Sequence, residues 1–315
     1  VTGVQTCALP ISYDTVLGFR DKVLMRQRVD AAGLRAPRTV RADTREQVRA
    51  AAEITGFPLI VKPVDGAGGR DTWRCADMAE LDRALAITAH VPEVSVEEFI
   101  TGEEFTYETL CIDGEPVLES VCQYFPNVLD ARKNEWISPI IASIRDMQQR
   151  RVRGGVELGR KVLKALGMGT GFTHMEWYLK SNGEVVFGEI GCRPGGAHLV
   201  DQMNYTCDID LFREWARCVC WHSFEAPTER KYNAAIIFKR AKGNGRITRI
   251  DGYNEYMQKY GRFVVAENLL PVGTHRRDWK QTLVSDGFVI LRHPDWNSTQ
   301  QLADAFAEQV VMYAG

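Results

Sequence analysis

One hairpin constrains the fold of this chain more than any other segment. Residues 172–190, FTHMEWYLKSNGEVVFGEI, alternate apolar and polar side chains on both sides of Asn182-Gly183. This dipeptide favours a two-residue type I′ turn. Such a turn places Glu176 directly opposite Glu189, with Cβ atoms about 5 Å apart. The other face of the hairpin then carries residues that predict a buried core, namely Met175, Trp177, Leu179, Val186 and Ile190.

The two opposed glutamates predict a cation site. Like charges that face each other destabilise a sheet unless something offsets them. Paired carboxylates are the ligands that Mg²⁺ takes from a protein when phosphates supply other ligands. The hairpin continues into GCRPGGAH, residues 191–198, which brings Arg193 to the same face. We therefore predict that Glu176 and Glu189 bind a metal and that Arg193 meets an anionic group. His174 also lies on this face, either as a functional residue or as a structural one.

A second hairpin, residues 104–125, has Asp113-Gly114 at its turn. The same counting places Glu108 opposite Glu119. Opposed glutamates are also common on solvated strands, and no segment rich in arginine and glycine follows this pair. We therefore expect the metal at the first hairpin and not at this one.

A glycine-rich segment follows a short predicted strand. It reads FPLIVKPVDGAGGR over residues 57–70, with Lys62 at the end of the strand and Gly66, Gly68 and Gly69 after it. Glycines let backbone N–H groups approach phosphate oxygens, and a lysine adds a positive charge. The Walker pattern is absent, because no Gly-Lys-Ser/Thr opens a helix. Taken alone, this segment fits a phosphate-binding loop and a flexible turn equally well.

Composition excludes several classes of protein. The 315 residues carry 39 Lys+Arg and 41 Asp+Glu, a net charge of −2, which argues against nucleic-acid binding by overall positive charge. No apolar run approaches the roughly 20 residues that span a bilayer. The 8 cysteines form no CxxC pair, which argues against structural zinc and a disulfide scaffold. We expect a soluble, cytoplasmic protein that binds neither nucleic acid nor membrane.

The first residues do not fit the rest of the chain. Val1–Ser12, VTGVQTCALPIS, resembles the translation of a sequencing-adapter oligonucleotide. It lacks the basic region and the apolar core of a signal peptide. We therefore expect residues 1–12 to be non-native and the chain to be an N-terminally truncated fragment.

The remaining pattern predicts an α+β protein with much antiparallel sheet. Helices are expected at residues 21–32, 44–54, 78–89, 148–166, 209–221 and 300–313, with an irregular segment at 126–139. The predicted units are a helical remnant at 13–53, two subdomains at 54–103 and 104–228, and a C-terminal β-rich lobe at 229–315.

In this order, the motifs resemble the ATP-grasp family over Phe19–Trp221. They are Asp21-Lys22, the Lys62 strand with its glycines, VEEFITGEEF at 96–105, and the hairpin with its exit. The resemblance implies two α+β subdomains that clamp ATP, and a C-terminal lobe that closes the site.

The resemblance also implies a role for each matching residue. The phosphate-contacting lysines would be Lys22 and Lys62, under a mobile loop formed by Gly66, Gly68 and Gly69. Adenine would lie against Glu97, Glu98 and Ile100, and the ribose hydroxyls against Glu104. The carboxylates for Mg (or Mn) would be Glu176 and Glu189, and Arg193 would steady the transferred phosphate. Many members have Asn where this chain has Gly191, which affects the expected metal coordination.

The HxE motif at His174 and the exit EIGCRPGG look most like the L-amino-acid ligase branch. The resemblance implies a Mg-dependent ligase that activates a carboxylate as an acylphosphate for attack by an amine, with His174 and Arg193 as catalytic residues. Its partners would be small carboxylate and amine substrates, and a homodimer is compatible with it. The segment 125–138 could line the acceptor side through Arg132 or Lys133, or be an ordinary solvated loop.

Two alternatives stay open. The first is a carboxylase or nucleotide-biosynthetic enzyme of the same family that uses bicarbonate or formate. The second is a truncated ATP-binding fragment without activity.

Overall fold

The computed structural model describes residues 12–64 and 71–315. The chain begins there with helix α1 (Tyr13–Gly18), whose first turn is capped by the Ser12 side chain through the Thr15 N–H. Residues 1–11 of the predicted non-native segment lie outside the described residues. Helix α2 (Lys22–Ala31) follows, and the Asp21 carboxylate accepts from the N–H groups of Val23 and Leu24. This cap fixes where α2 starts.

A small antiparallel sheet forms the first layer. Its strands are β1 (Thr39–Ala42), β2 (Leu59–Pro63), β3 (Trp73–Cys75) and β4 (Val94–Glu98). They lie in the order β1-β4-β2-β3. Two amphipathic helices, α3 (Arg45–Thr55) and α4 (Met78–Ile87), contribute to the same apolar core as these strands.

A sheet of eight strands forms the body of the molecule, in the order β13-β14-β10-β7-β6-β5-β8-β9. Its two long hairpins are β5 (Glu103–Ile112) with β6 (Glu115–Phe125), and β8 (Gly171–Leu179) with β9 (Val185–Gly191). The other strands are β7 (Ile140–Ser143), β10 (Asn233–Phe238), β13 (Val264–Leu269) and β14 (Gly287–His293).

Long helices cover one face of this sheet. Helix α6 (Arg150–Leu166) packs on β5 and β8, where Gly155 and Gly159 leave room for the rings of Trp177 and Tyr107. A Cβ at Gly155 would lie 2.2 Å from the Trp177 ring, so close packing requires glycine there. Helix α10 (Trp296–Gln309) packs farther along, on β10 and β14.

The opposite face, which we name the site face, carries Glu104, Thr106 and Glu108 on β5 and their partners Tyr178, Glu176 and His174 on β8. Helices α7 (Leu199–Cys207) and α8 (Leu211–Trp221) share an apolar cluster with one end of this face. The rest of the site face lines a cleft that residues of the small sheet also line.

The C-terminal residues extend the large sheet. Strands β10, β13 and β14 belong to it, while β11 (Lys242–Gly243), β12 (Ile247–Asp251) and β15 (Val311–Ala314) form a three-stranded sheet with helix α9 (Tyr253–Tyr260) nearby in sequence. Two expectations are wrong in detail. The last helix ends at Gln309, because the next residues pair with β12, and the irregular segment contains helix α5 (Val128–Lys133). The α+β class is confirmed.

Candidate active site

The tip of the β8–β9 hairpin differs from the prediction. The Lys180 N–H donates to the Glu184 carbonyl, and Gly183 adopts φ 87°. These features define a three-residue loop, in which a type I turn is followed by a left-handed residue. The predicted two-residue turn is therefore wrong.

A bulge compensates for this difference. One extra residue of β9, Gly188, separates the pair Trp177–Phe187 from the pair Glu176–Glu189. A Cβ on Gly188 would lie 2.5 Å from the Glu176 carbonyl oxygen, so the bulge needs glycine. The predicted opposition of Glu176 and Glu189 is thus confirmed. The two-residue turn from which we predicted it is wrong, and the bulge restores the pairing.

The bulge also changes which residue of β9 reaches the core. Phe187 packs in the cluster that contains Met175 and Trp177. Val186, which we expected there, is buried but lies opposite Tyr178, on the site face.

The β5–β6 hairpin has its predicted turn but not its predicted register. An extra residue, Val117, shifts β6 by one position, so Glu108 pairs with Ser120 and Thr109 pairs with Glu119. The predicted opposition of Glu108 and Glu119 is wrong, because the bulge moves Glu119 to the other face. The partner of Glu108 on the site face is His174 of β8.

Two lysines meet Glu189 at one end of the cleft. Lys22 is the first residue of α2, and Lys62 lies in β2. Their Nζ atoms lie 3.9 Å and 3.5 Å from Oε2 of Glu189. Burial lowers the pKa of Lys22, whereas Glu97 and Glu189 together outweigh burial and raise that of Lys62. The structure therefore brings both predicted phosphate lysines to a predicted metal carboxylate.

Glu97 is fully engaged beside Lys62. Its Oε2 lies 2.9 Å from Lys62 Nζ and accepts from Arg26 at 3.3 Å, while Oε1 accepts from the Ser95 hydroxyl at 2.7 Å. Burial opposes the charge of Glu97, but Lys62 and Arg26 outweigh it and lower the pKa to about 2. Glu97 therefore stays ionised and holds Lys62 in place.

The segment that follows β4 supplies another part of the cleft lining. The Glu98 side chain forms ion pairs with Arg35 at 2.7 Å and with Arg38 at 3.5 Å. The Phe99 N–H donates to the Pro58 carbonyl. Within residues 12–64 and 71–315, the Ile100 N–H donates to no backbone carbonyl, so an unused donor lies at the cleft.

Glu104 lies at the cleft floor, 4% exposed. Its Oε2 accepts from the Val128 N–H at 2.8 Å, at the start of α5. Burial and the neighbouring Glu176 raise the pKa of Glu104 to about 8. The Glu104 carboxyl is therefore mostly protonated, and so uncharged, below about pH 8.

His174 lies between two carboxylates. Its Nδ1 is 2.6 Å from Glu108 Oε1, and its Nε2 is 3.7 Å from Glu176 Oε1. Burial lowers the pKa of His174, but Glu108 and Glu176 outweigh burial and raise it to about 10. The imidazole is therefore held as a cation on the site face, between Glu108 and Glu176.

The segment after β9 brings a second cation to this region. Arg193 is exposed and lines the cleft, and its Nη1 donates to the Pro194 carbonyl at 2.8 Å. Gly195 packs against the buried pair of Glu108 and His174, since a Cβ there would lie 2.7 Å from Glu108 Oε2. Gly191, where many ATP-grasp members have Asn, pairs with His174.

Together these groups surround one cleft of about 600 Å³. The irregular segment also contributes to it, because Arg132 and Lys133 of α5 line the cleft. The predicted loop residues Gly66, Gly68 and Gly69 lie outside the described residues.

The described residues fit a metal with two protein ligands. Across residues 12–64 and 71–315, no three His, Cys, Asp or Glu side chains form a group that could hold a metal ion. Glu176 and Glu189 face each other as a pair of hard oxygen donors near two lysines. Such a pair suits Mg²⁺ when phosphate oxygens complete the shell.

Sequence reasoning missed several cleft residues. Arg26 lies one turn after Lys22 on α2 and could have been found from this spacing. Glu108, which the sequence predicted opposite Glu119, lies behind the cleft on the same face of β5 as Glu104, and its pairing with His174 depends on the strand order. Tyr124 and Tyr178 gave no signal beyond those of ordinary strand residues.

The ATP-grasp domain matches residues 27–202, more than half of the chain. The chain belongs to the ATP-grasp family. An L-arginine-specific L-amino acid ligase of Bacillus subtilis is 26% identical over 207 residues, which are 64% of this chain and 49% of that protein. A formate-dependent phosphoribosylglycinamide formyltransferase of Erythrobacter litoralis is 28% identical over 204 residues, 62% of this chain and 50% of that protein. The chain thus spans about half the length of the curated relatives it matches.

A solved structure shows the same fold. The L-amino acid ligase from Bacillus licheniformis has a TM-score of 0.81 at 21% identity, covering 100% of this chain and 77% of that one. The ATP-grasp fold is therefore confirmed for this chain. None of the helices in the described part of the chain combines the length and hydropathy needed to cross a bilayer.

Proposed function

We propose that this chain binds ATP in the cleft and activates a carboxylic acid as an acylphosphate, which an amine then attacks to form an amide. The observation that carries the proposal is the meeting of Lys22, Lys62 and Glu189 at one end of the cleft, next to Glu176. Membership of the ATP-grasp family and similarity to amino acid ligases support it.

In this proposal the nucleotide lies between the two sheets. The triphosphate meets Lys22 and Lys62, whose charges offset those of the phosphates. The unused N–H of Ile100 suits a ring nitrogen of adenine, and Glu104 lies where a ribose hydroxyl could bond it. Glu97 is occupied by Lys62, Arg26 and Ser95, so its contribution is to position Lys62.

Glu176 and Glu189 would hold Mg²⁺ (or Mn²⁺), which would neutralise phosphate charge when bound. The residues of the chain then act on the acid. His174 and Arg193 supply positive charge where a carboxylate oxygen attacks the γ-phosphorus and ADP leaves. The amine nitrogen next attacks the acyl carbon, the bond to phosphate breaks, and the departing phosphate takes the proton that the amine loses. Exclusion of water protects the acylphosphate during this sequence.

ADP release with pairs of amino acids tests the proposal. We expect Glu189→Gln to lower the rate by a factor on the order of 100, because about 3 kcal/mol of charge stabilisation is lost. The matched control is Glu184→Gln, next to the loop of the same hairpin, where Glu184 bonds Lys180 and Arg35 outside the cleft. That variant should keep the rate of the unmodified protein.

Three results would contradict the proposal. Near-normal turnover of Glu189→Gln would remove the metal assignment. ADP release with bicarbonate or formate, but with no amino acid pair, would favour the carboxylase-type alternative. ATP binding without ADP release under any condition would favour a fragment that only binds the nucleotide.

A further inference from the structure

Part of the cleft lining is apolar, although Arg132 and Lys133 also line the cleft. Five of its lining residues, which we name the apolar wall, are Tyr124, Ile141, Ala197, Leu199 and Leu283. Ile141 lies on β7, four strands from Glu189 on β9 in the order of the large sheet. Because neighbouring strands are about 4.8 Å apart, this is roughly 19 Å from the lysines' partner. Ile141 therefore lies away from the lysine end of the cleft.

Three parts of the chain build the wall. Ile141 and Tyr124 are opposed across β7 and β6, on the site face. Ala197 and Leu199 follow Arg193 on the exit of β9, and Leu283 lies in the turn before β14. All five belong to one apolar cluster. The wall is therefore a continuous surface backed by the core.

The wall has apolar surface to offer a ligand. Ile141 and Leu199 are 1% and 2% exposed, whereas Tyr124, Ala197 and Leu283 are only half-buried. Since these three residues line the cleft, part of their open surface faces it. Apolar surface left open in a cleft is typical of sites that bind an apolar group.

The wall also adjoins the proposed chemistry. Ala197 is four residues after Arg193, and Tyr124 lies beside Glu104, because their neighbours Gln123 and Phe105 are paired. An acid with its carboxylate at His174 and Arg193 would have this wall within reach of its side chain.

We propose that the acid activated in this cleft is an amino acid with an apolar side chain, which packs against the apolar wall. The inference rests on the proposed function and adds the substrate class to it. Each buried methylene group should raise affinity about fourfold. A charged side chain would lose its hydration without a charged partner on the wall.

A panel of acids tests the substrate class. ADP release by the full chain is measured with methionine, leucine, lysine and glutamate, each with the same amine. In parallel, thermal-shift titrations with each acid and ADP measure binding without turnover. We expect kcat/KM at least about tenfold higher for methionine and leucine than for lysine and glutamate.

A substitution on the wall should reverse this preference. Leu283→Lys should lower kcat/KM for methionine at least about tenfold and raise that for glutamate, because it places a cation on the wall. Leu283→Met keeps the apolar surface and should keep the original order.

Each outcome decides the proposal. Equal rates with charged and apolar acids, or a preference for glutamate that Leu283→Lys leaves unchanged, would overturn the wall as the selective surface, while ADP release itself would uphold the proposed function. If no acid releases ADP, the proposed function fails. In that case the thermal shifts still test whether the wall selects apolar acids. Equal shifts for apolar and charged acids would overturn the wall as the selective surface.

Discussion

At the scale of the residue, the site is governed by carboxylates that share one face. Glu104, Glu108 and Glu176 lie on two adjacent strands. The surroundings of Glu108 and Glu104 differ. Glu108 is 1% exposed and lies against His174, whereas Glu104 is pushed toward the neutral form. Such divergent environments are typical of functional sites.

Glu104 gives a pH-dependent prediction. Its pKa is about 8 in the folded chain and near the ordinary 4.5 when unfolded, so the folded state binds more protons between these values. The free energy of unfolding therefore falls as pH rises through this window. Glu104→Gln removes this loss and should be more stable by up to about 3 kcal/mol at pH 7.

Thermal melting between pH 4 and 8 measures this effect. The advantage of Glu104→Gln should be small near pH 4 and should grow toward pH 8. The control is Glu103→Gln on the same strand, where the side chain is exposed and a smaller change is expected. An advantage of Glu104→Gln that does not vary with pH would show that Glu104 is ionised throughout.

At the scale of the element, bulges set which side chains reach the site. The extra residue Val117 in β6 removes Glu119 from the site face, and Gly188 in β9 keeps Glu189 on it. A one-residue change of register moves a strand's side chains to the opposite face. The site thus depends on two single-residue insertions in strand pairing.

Gly188→Ala tests this dependence. The added Cβ would meet the Glu176 carbonyl oxygen, so the bulge must shift, at an expected cost of about 1–3 kcal/mol in the free energy of unfolding. ADP release should fall as well, because Glu189 moves relative to Glu176. Chemical denaturation and the ADP assay measure the two effects.

Gly196→Ala is the control for stability. No atom lies within 4 Å of a Cβ at that position, so the free energy of unfolding should change little. If Gly188→Ala were as stable as this control, the bulge would tolerate a side chain and the explanation would be wrong.

At the scale of the whole molecule, the large sheet joins regions that the sequence divides. Strand β10 pairs with β7 and with β14, so residues on both sides of the predicted boundary at 228 share one sheet. Their apolar side chains form common clusters, in which Ile140 packs with Val289 and Ile141 with Ile236. The domain boundaries at 53, 103 and 228 remain a prediction.

A chain that ends at residue 228 tests this continuity. Removal of β10 would leave β7 as an unpaired edge and expose both apolar clusters to solvent. We expect this shorter chain to aggregate or to melt without a cooperative transition, whereas the full chain melts cooperatively. Circular dichroism and light scattering measure the two properties. Cooperative melting of the shorter chain at an unchanged temperature would mean that the first 228 residues fold independently.

Much of the architecture could be predicted from the sequence. The α+β class, most helices and the two hairpins follow from local periodicity and turn residues, which act over a few positions. The meeting of Lys22, Lys62, Glu176 and Glu189 was also anticipated, but by resemblance to a family and not by distance along the chain. Those residues come from four separate elements, and no local rule brings the two lysines to the glutamates.

The sequence by itself determined the α+β class and most of the helices, because caps and periodicity are local interactions. Only the tertiary structure decided the final register of the hairpins, the pairing of Glu108 with His174, and the apolar wall. Each of these depends on how whole strands pair and pack in the folded chain. The two bulges, for example, are shifts in the pairing of neighbouring strands. The opposition of Glu176 and Glu189 shows the difference: a local rule predicted the pair, and a glycine bulge in the folded sheet makes it.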